Sequence, residues 1–153
     1  MDITKEFRDN FPNLTLSTDI IVGFPGESRE DFKESKVLVK RARPDIVNVT
    51  RFSPRRGTKA VDIEDKVHSR EKKRRSKEMT DLRFKISREI NKDYVGRKED
   101  VLVVEKGKND TLKARMDNYK VVVLKEEDEE ELIGKRINVE IKKAEDIYLE
   151  GIL

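Results

Sequence analysis

The sequence predicts an α/β segment followed by an all-β barrel, with one long helix between them. Two β-branched runs flank a helical pattern near the start of the chain, an order typical of a βαβ unit. Proline and glycine are absent from residues 61 to 95, which favours one uninterrupted helix. Beyond residue 96, five short alternating runs indicate a small five-stranded antiparallel barrel. We therefore expect segments at residues 1–64, 65–91 and 92–153.

The βαβ unit is predicted from two strand patterns and the helical pattern between them. The first strand, Thr15–Val22, is rich in β-branched residues, and the second is Asp45–Thr50. Ser28 is the expected N-cap of the helix, with Asp31 completing a variant of the capping box, and the helix should end before Pro44. Because both strands are apolar on both faces, they need neighbouring strands and helices to cover them. The open sheet edge predicts aggregation or dimerisation of the isolated chain.

A parallel strand pair would bring two loops to the same edge of the sheet. The Gly23–Glu27 loop precedes a helix, so its backbone N–H groups could hold an anion or a polar cofactor edge, or the loop is an ordinary turn. The Ser53–Thr58 loop follows the second strand. Its paired Arg55 and Arg56 suit a phosphate or carboxylate, and a solvated turn explains them equally well.

The long helix is predicted over residues 65–91 from a narrow apolar stripe. The stripe consists of Met79, Leu82, Ile86 and Ile90. The first half of this helix carries a cluster of basic side chains, which either contact RNA or form a solvated face. The cluster comprises Arg70, Lys72, Lys73, Arg74, Arg75 and Lys77.

The predicted barrel strands are separated by polar turns. They are Asp100–Glu105, Thr111–Met116, Tyr119–Leu124, Arg136–Lys142 and Ile147–Leu153. Lys106–Asp110 is the expected hairpin connection, and Glu126–Glu131 is an acidic loop too charged to be buried.

The charge distribution separates the two halves of this 153-residue chain. Charged residues make up 44% of the chain, and the net charge is only +3. Residues 91–153 carry 13 basic and 16 acidic side chains, whereas residues 1–90 carry 22 and 16. RNA would therefore have to bind a local face of the barrel rather than respond to its overall charge.

Several classes of site are excluded by composition. The chain has no cysteine, so it can form no disulfide and, by itself, no cysteine-ligated zinc or iron–sulfur centre. His68 is the single histidine and cannot form a metal site alone, and no catalytic Ser/His/Asp arrangement is evident. No apolar run approaches the roughly 20 residues of a membrane span, and the first residues lack the apolar core of a secretory signal. A cytoplasmic location without membrane association is expected.

Two stretches resemble the radical-SAM methylthiotransferases. They are Ser17–Glu27, which reads STDIIVGFPGE, and Phe52–Ala60, which reads FSPRRGTKA. Asn48–Lys59 is most similar to the archaeal and eukaryotic branch that acts on threonylcarbamoyladenosine in tRNA, and the bacterial isopentenyladenosine branch is the alternative. Four further stretches resemble a TRAM domain, namely Tyr94–Arg97, Lys113–Leu124, Leu132–Ile141 and Tyr148–Gly151.

The resemblance implies a part of a radical-SAM (β/α) barrel followed by an OB-like TRAM barrel. In the first part, Gly23, Phe24 and Gly26 would approach S-adenosylmethionine, and Phe52 with Ser53 would lie on the adenine or substrate side. The remaining matched residues are candidates for contact with the tRNA anticodon stem-loop. They are Arg55, Arg56, Lys113, Arg115, Asn118, Tyr119 and Lys120.

The resemblance also implies what the chain lacks. The family uses S-adenosylmethionine and two 4Fe-4S clusters, whose cysteines lie upstream of the matched region. We expect this chain to hold neither cluster and no catalytic residue, and to need the remainder of the parent enzyme. It would supply tRNA binding and part of the S-adenosylmethionine wall. The alternative is a standalone TRAM-type RNA-binding module or RNA chaperone.

Overall fold

The chain is described here by a computed structural model that covers residues 2–125 and 130–153. It divides into two compact units. The βαβ unit contains residues 16–86 together with the first four residues, and the barrel unit contains residues 5–15 and 87–153. A short helix, α1 (Asp2–Asn10), lies near the start of the chain. Patterning did not predict it, although Phe7 and Phe11 recur at helical spacing.

The βαβ unit has the predicted order of elements. Strand β1 (Ser17–Val22) pairs in parallel with β2 (Ile46–Arg51), and helix α2 (Arg29–Ala42) connects them. Ser28 Oγ accepts a hydrogen bond from the Asp31 amide, and the Asp31 carboxylate accepts one from the Ser28 amide, which confirms the capping box. The core of this unit is formed by Val22, Phe32, Val39, Val47, Met79 and Ile86.

Helix α3 (Ser69–Lys92) begins four residues later than predicted and ends one residue later. Met79 and Ile86 of the predicted apolar stripe are buried. A 3-10 turn at Lys59–Val61 precedes it. Among the residues described, no helix is both long and apolar enough to cross a membrane.

The barrel unit contains five strands that close in the order β3-β4-β5-β7-β6. Their bounds are β3 Lys98–Lys106, β4 Leu112–Met116, β5 Val121–Leu124, β6 Arg136–Ala144 and β7 Leu149–Ile152. A 3-10 turn, Glu130–Leu132, precedes β6, and residues 126–129 of the predicted acidic loop lie outside the described residues.

The prediction that the barrel is entirely antiparallel is wrong. Strands β5 and β7 pair in parallel, whereas every other neighbouring pair is antiparallel. The reason is parity, because strand direction cannot alternate without interruption around a closed ring of five strands. One neighbouring pair must run the same way, and here it is the pair at which β7 enters between β5 and β6.

The barrel core follows the two-residue alternation of its strands. Inward side chains include Val101, Val103, Val122, Leu124, Val139, Ile141 and Leu149, all of which are buried. Gly151 lies where β7 meets β5, and a Cβ atom there would be 3.0 Å from Val122 Cγ1. Because burial also alternates along β4, its residues Lys113 and Arg115 lie on the barrel surface.

Candidate cofactor loops and RNA interface

The two loops predicted to share one edge of the βαβ sheet do meet there. The amide of Phe52 donates to the carbonyl of Val22 at 2.8 Å, which joins the ends of β2 and β1. The rings of Phe24 and Phe52 then pack edge to face, with centroids 5.0 Å apart. Of the five predicted cofactor residues, these two form the contact between the loops. Phe24 remains largely exposed, so its ring is available to a ligand.

The glycines of the first loop adopt backbone conformations that disfavour other residues. Gly23 has φ +76° and Gly26 has φ +84°. The Gly23 amide donates to the Glu27 carboxylate, and the Gly26 amide donates to the Asp65 carbonyl at 2.7 Å. Both amides are therefore used within the protein. A ligand at this loop would meet the Phe24 ring rather than an open nest of N–H groups.

Arg75 holds the Glu27 end of this loop from helix α3. Its side chain is buried, and Nη1 lies 2.9 Å from both the Glu27 carbonyl oxygen and Glu27 Oε2. Its Nε donates to Glu71 Oε1 at 2.9 Å. Burial lowers the pKa of Arg75, but the bonds to Glu71 and Glu27 outweigh it and leave that pKa raised. The guanidinium groups of Arg74 and Arg75 lower the pKa of Glu71 to about 2.

Lys72, one turn from the start of α3, contacts both loops. Its Nζ donates to the Phe52 carbonyl at 3.3 Å and lies 5.2 Å from the centre of the Phe52 ring. A Cβ at Gly23 would lie only 2.5 Å from Lys72 Cγ, so the loop fits against this side chain only with glycine. A shallow pocket opens here, lined by Arg51, Phe52, Ser53, Pro54, Ser69 and Lys72.

The sequence did not assign Arg75 and Lys72 to this site, although both belong to the basic cluster predicted on the helix. The sequence feature that indicates a role for Arg75 is its i, i+4 spacing from Glu71, which is typical of an ion pair along one helix face. The bond to Glu27 joins residues 48 positions apart and could not be read from local spacing. Ser53, Arg55 and Arg56 are exposed on the second loop, and their contact with a ligand stays a prediction.

On the barrel unit, three of the predicted RNA residues lie on the surface and two make contacts within the unit. Arg115 lies on β4 and donates from Nη1 to the Tyr119 carbonyl at 3.1 Å. Tyr119 has φ +68° in the turn before β5, and its side chain is 72% exposed. Lys113 forms an ion pair with Glu105 at 2.6 Å. A cation and an unstacked aromatic ring thus lie together on the surface, where they can contact phosphate and base.

Asn118 and Lys120 make contacts inside the barrel unit. Asn118 Nδ2 lies 3.1 Å from Tyr94 Oη and donates to the Asn13 carbonyl at 3.2 Å. Lys120 is 8% exposed, and its Nζ donates to Asn91 Oδ1 at 3.0 Å. These bonds fix the turn that carries Tyr119. Contact of either residue with RNA stays a prediction.

Within residues 2–125 and 130–153, no group of three or more His, Cys, Asp or Glu side chains is arranged so that it could hold a metal ion.

Comparison with known proteins finds a family match for the barrel. The model of the TRAM domain matches residues 92–153, which are the barrel strands and the segment leading into them. The whole chain is 44% identical to the probable threonylcarbamoyladenosine tRNA methylthiotransferase of Archaeoglobus fulgidus, of which it covers 35%. A relative of the same name from Pyrococcus horikoshii is 45% identical over 98% of the chain, which covers 34% of that protein.

A second group of relatives has another name. The tRNA-2-methylthio-N(6)-dimethylallyladenosine synthase of Carboxydothermus hydrogenoformans is 36% identical over the whole chain, which covers 35% of that protein. The chain spans about a third of the length of the curated relatives it matches. The model of the TRAM domain therefore matches the barrel, and the chain as a whole is similar to one part of proteins named as tRNA methylthiotransferases.

Proposed function

We propose that this chain is the tRNA-binding part, and a section of the S-adenosylmethionine wall, of an enzyme that adds a methylthio group to N6-threonylcarbamoyladenosine in the tRNA anticodon loop. The observation that carries this proposal is similarity along the full chain to proteins named for that activity, at 44% to 45% identity. Relatives named for the dimethylallyladenosine reaction are 35% to 42% identical, and a further relative named for the threonylcarbamoyladenosine reaction is 38% identical.

The barrel supplies the RNA contact in this proposal. Arg115 offers a guanidinium to phosphate, and Tyr119 offers a ring on which a base can stack. Lys113, on the same outward face of β4, adds a second cation beside Arg115. Asn118 and Lys120 contribute by holding the turn before β5, and we retain direct RNA contact as a prediction for both.

The βαβ unit supplies part of the cofactor wall as a late segment of a radical-SAM barrel. Its paired Phe24 and Phe52 rings and the pocket beside Ser53 fit the flat, apolar face of an adenine ring. Gly23 and Gly26 shape the loop that carries Phe24. When bound, S-adenosylmethionine would supply the methyl group and the radical chemistry. Arg55 and Arg56, which are exposed on the second loop, are our candidates for contact with tRNA phosphates.

The 4Fe-4S clusters do not fit this chain, because it has no cysteine thiolate to bind them. We expect the remainder of the parent enzyme to hold both clusters, and we expect the isolated chain to be inactive. A cytoplasmic location, where tRNA is modified, belongs to the same proposal.

The proposal is tested by tRNA binding, measured by fluorescence anisotropy with a labelled transcript. Replacing Arg115 and Tyr119 together by alanine should weaken binding about 10- to 100-fold, since base stacking alone contributes about 1–3 kcal/mol. The matched control replaces Arg88, which pairs with Asp146, and Tyr148, the same residue types in the barrel unit, and should bind like the unmodified chain. Equal affinity of all three proteins would refute the assignment of the barrel surface.

The alternative function, a standalone RNA-binding module or chaperone, is favoured by one observation, since the barrel closes with a core of its own. The genomic sequence before the Met1 codon discriminates between the two. An open frame that continues upstream into Cys-x3-Cys-x2-Cys supports the enzyme, whereas an in-frame stop codon next to a ribosome-binding site supports the module.

A further inference from the structure

The basic cluster at the start of α3 divides into two sets with different surroundings. Lys72 contacts Phe52, Arg75 is buried against Glu27, and Arg74 pairs with Glu71 and Glu78. These three cations serve the βαβ unit itself. The other three, Arg70, Lys73 and Lys77, are exposed and make no ion pair with any residue that the structure describes.

The second set lies along one line of the helix. Positions 70, 73 and 77 fall within an arc of about 60° at 100° per residue, and they span about 10 Å at 1.5 Å per residue. We call these three residues the basic stripe. Asp81, one turn after Lys77, marks the end of the stripe. A stripe of this length matches roughly three successive phosphates of one nucleic-acid strand.

The acidic residues of the same helix segment do not cancel this charge. Glu71 is bound by Arg74 and Arg75, and Glu78 is bound by Arg74 and Lys36 at 2.8 Å. Each carboxylate is therefore neutralised by cations outside the stripe. The stripe is left as a net positive surface, whereas ion-paired cations elsewhere on the chain have less charge to offer.

The stripe also begins beside the pocket that the second loop forms with α3. Ser69, the residue before Arg70, lines that pocket together with Ser53 and Lys72. An RNA whose base occupies the loop edge would leave its backbone close to the first turn of α3. We propose that Arg70, Lys73 and Lys77 bind the phosphate backbone of the tRNA substrate, which extends the RNA-binding surface proposed for the βαβ unit from Arg55 and Arg56 onto α3. This inference rests on the proposed function.

The test measures how tRNA affinity depends on salt. In the full chain, Arg70, Lys73 and Lys77 are changed together to glutamine. Loss of three phosphate contacts should lower the slope of log affinity against log salt by about 2 to 3, and should weaken binding at least 10-fold in low salt. The charge-matched control changes Arg29, Lys40 and Arg41, three exposed cations of α2, and should retain the slope.

The outcomes separate this inference from the proposed function. A slope unchanged in the stripe variant, or reduced equally in the α2 control, would overturn the inference. If Arg115→Ala with Tyr119→Ala abolishes binding while the stripe variant binds normally, the proposed function stands and the stripe has no part in it. If the unmodified chain binds no tRNA, both fail. Thermal melting and circular dichroism should show that the stripe variant folds, because all three side chains are exposed.

Discussion

The barrel unit and the βαβ unit differ in how their strands are paired. Each barrel strand has a neighbour on both sides, and one parallel pair closes the ring. In the βαβ unit, β1 and β2 pair only with each other, so each strand has an outer edge without a partner strand in the described chain. The barrel strands thus pair on both edges, whereas each strand of the βαβ sheet pairs on one edge only within the described residues.

The apolar side chains on the strands show the same contrast. Barrel strand residues such as Leu124 and Leu149 are completely buried, and the most exposed aliphatic residue of the barrel region, Ile147, lies in a turn. In the βαβ unit, which also has buried core residues such as Met79, Ile21 on β1 is more than half exposed. The barrel strands thus enclose their own core, whereas a strand of the βαβ unit exposes apolar surface. Self-association through the open sheet edge stays a prediction, which size-exclusion chromatography checks.

Truncating one leucine in each unit should give the largest difference between them. Leu149→Ala removes a fully buried side chain and should cost about 3–4 kcal/mol of unfolding free energy, because a cavity remains in the closed barrel. Leu38→Ala removes a side chain that is 52% exposed and should cost less than about 1 kcal/mol.

Urea unfolding checks this pair of variants. Tyrosine fluorescence follows the barrel unit alone, because all three tyrosines lie in it, and circular dichroism follows both units. Equal costs for the two leucines would show that the barrel core is no more complete than that of the βαβ unit.

Apart from helix α1, the sequence predicted the α-helices and strands of both units because the signals for them are local. Strand alternation, the Ser28 capping box and the glycines at 23 and 26 each act over a few residues. The parallel pairing of β5 and β7 depends on ring closure, which no local pattern encodes. Likewise, the burial of Lys120 depends on Asn91, which is 29 residues away. The sequence could identify candidate site residues by type, but not which of them face inward.

Substituting Arg75 tests whether the loop at the candidate cofactor edge of the βαβ sheet is held in place by helix α3. Arg75→Gln leaves the Glu27 carboxylate without its buried cation and should cost about 3 kcal/mol. Arg74→Gln, on the same helix but with a side chain 48% exposed, should cost less than about 1 kcal/mol. Thermal unfolding followed by helical circular dichroism measures both. Similar costs would indicate that the bond from Arg75 to Glu27 does not hold the loop.

Alanine substitutions at two glycines of the βαβ unit should give the smallest difference in stability. They distinguish the cost of a strained backbone from the cost of a side-chain contact. Gly23 and Gly57 have nearly the same φ, +76° and +79°, so alanine at either position carries a similar backbone cost of about 1 kcal/mol. Only at Gly23 would the new Cβ meet a neighbour, Lys72 Cγ at 2.5 Å, whereas nothing lies within 4 Å at Gly57.

Gly23→Ala should therefore lower stability by about 1 kcal/mol more than Gly57→Ala, since Lys72 must move off the Phe52 ring to make room. Chemical denaturation gives the difference, and the double variant Gly23→Ala with Lys72→Ala supplies the control. Removing the long side chain should abolish the excess cost at Gly23. An excess that persists without Lys72 would mean that the loop is limited by its own backbone, and that the helix does not shape this edge of the βαβ unit.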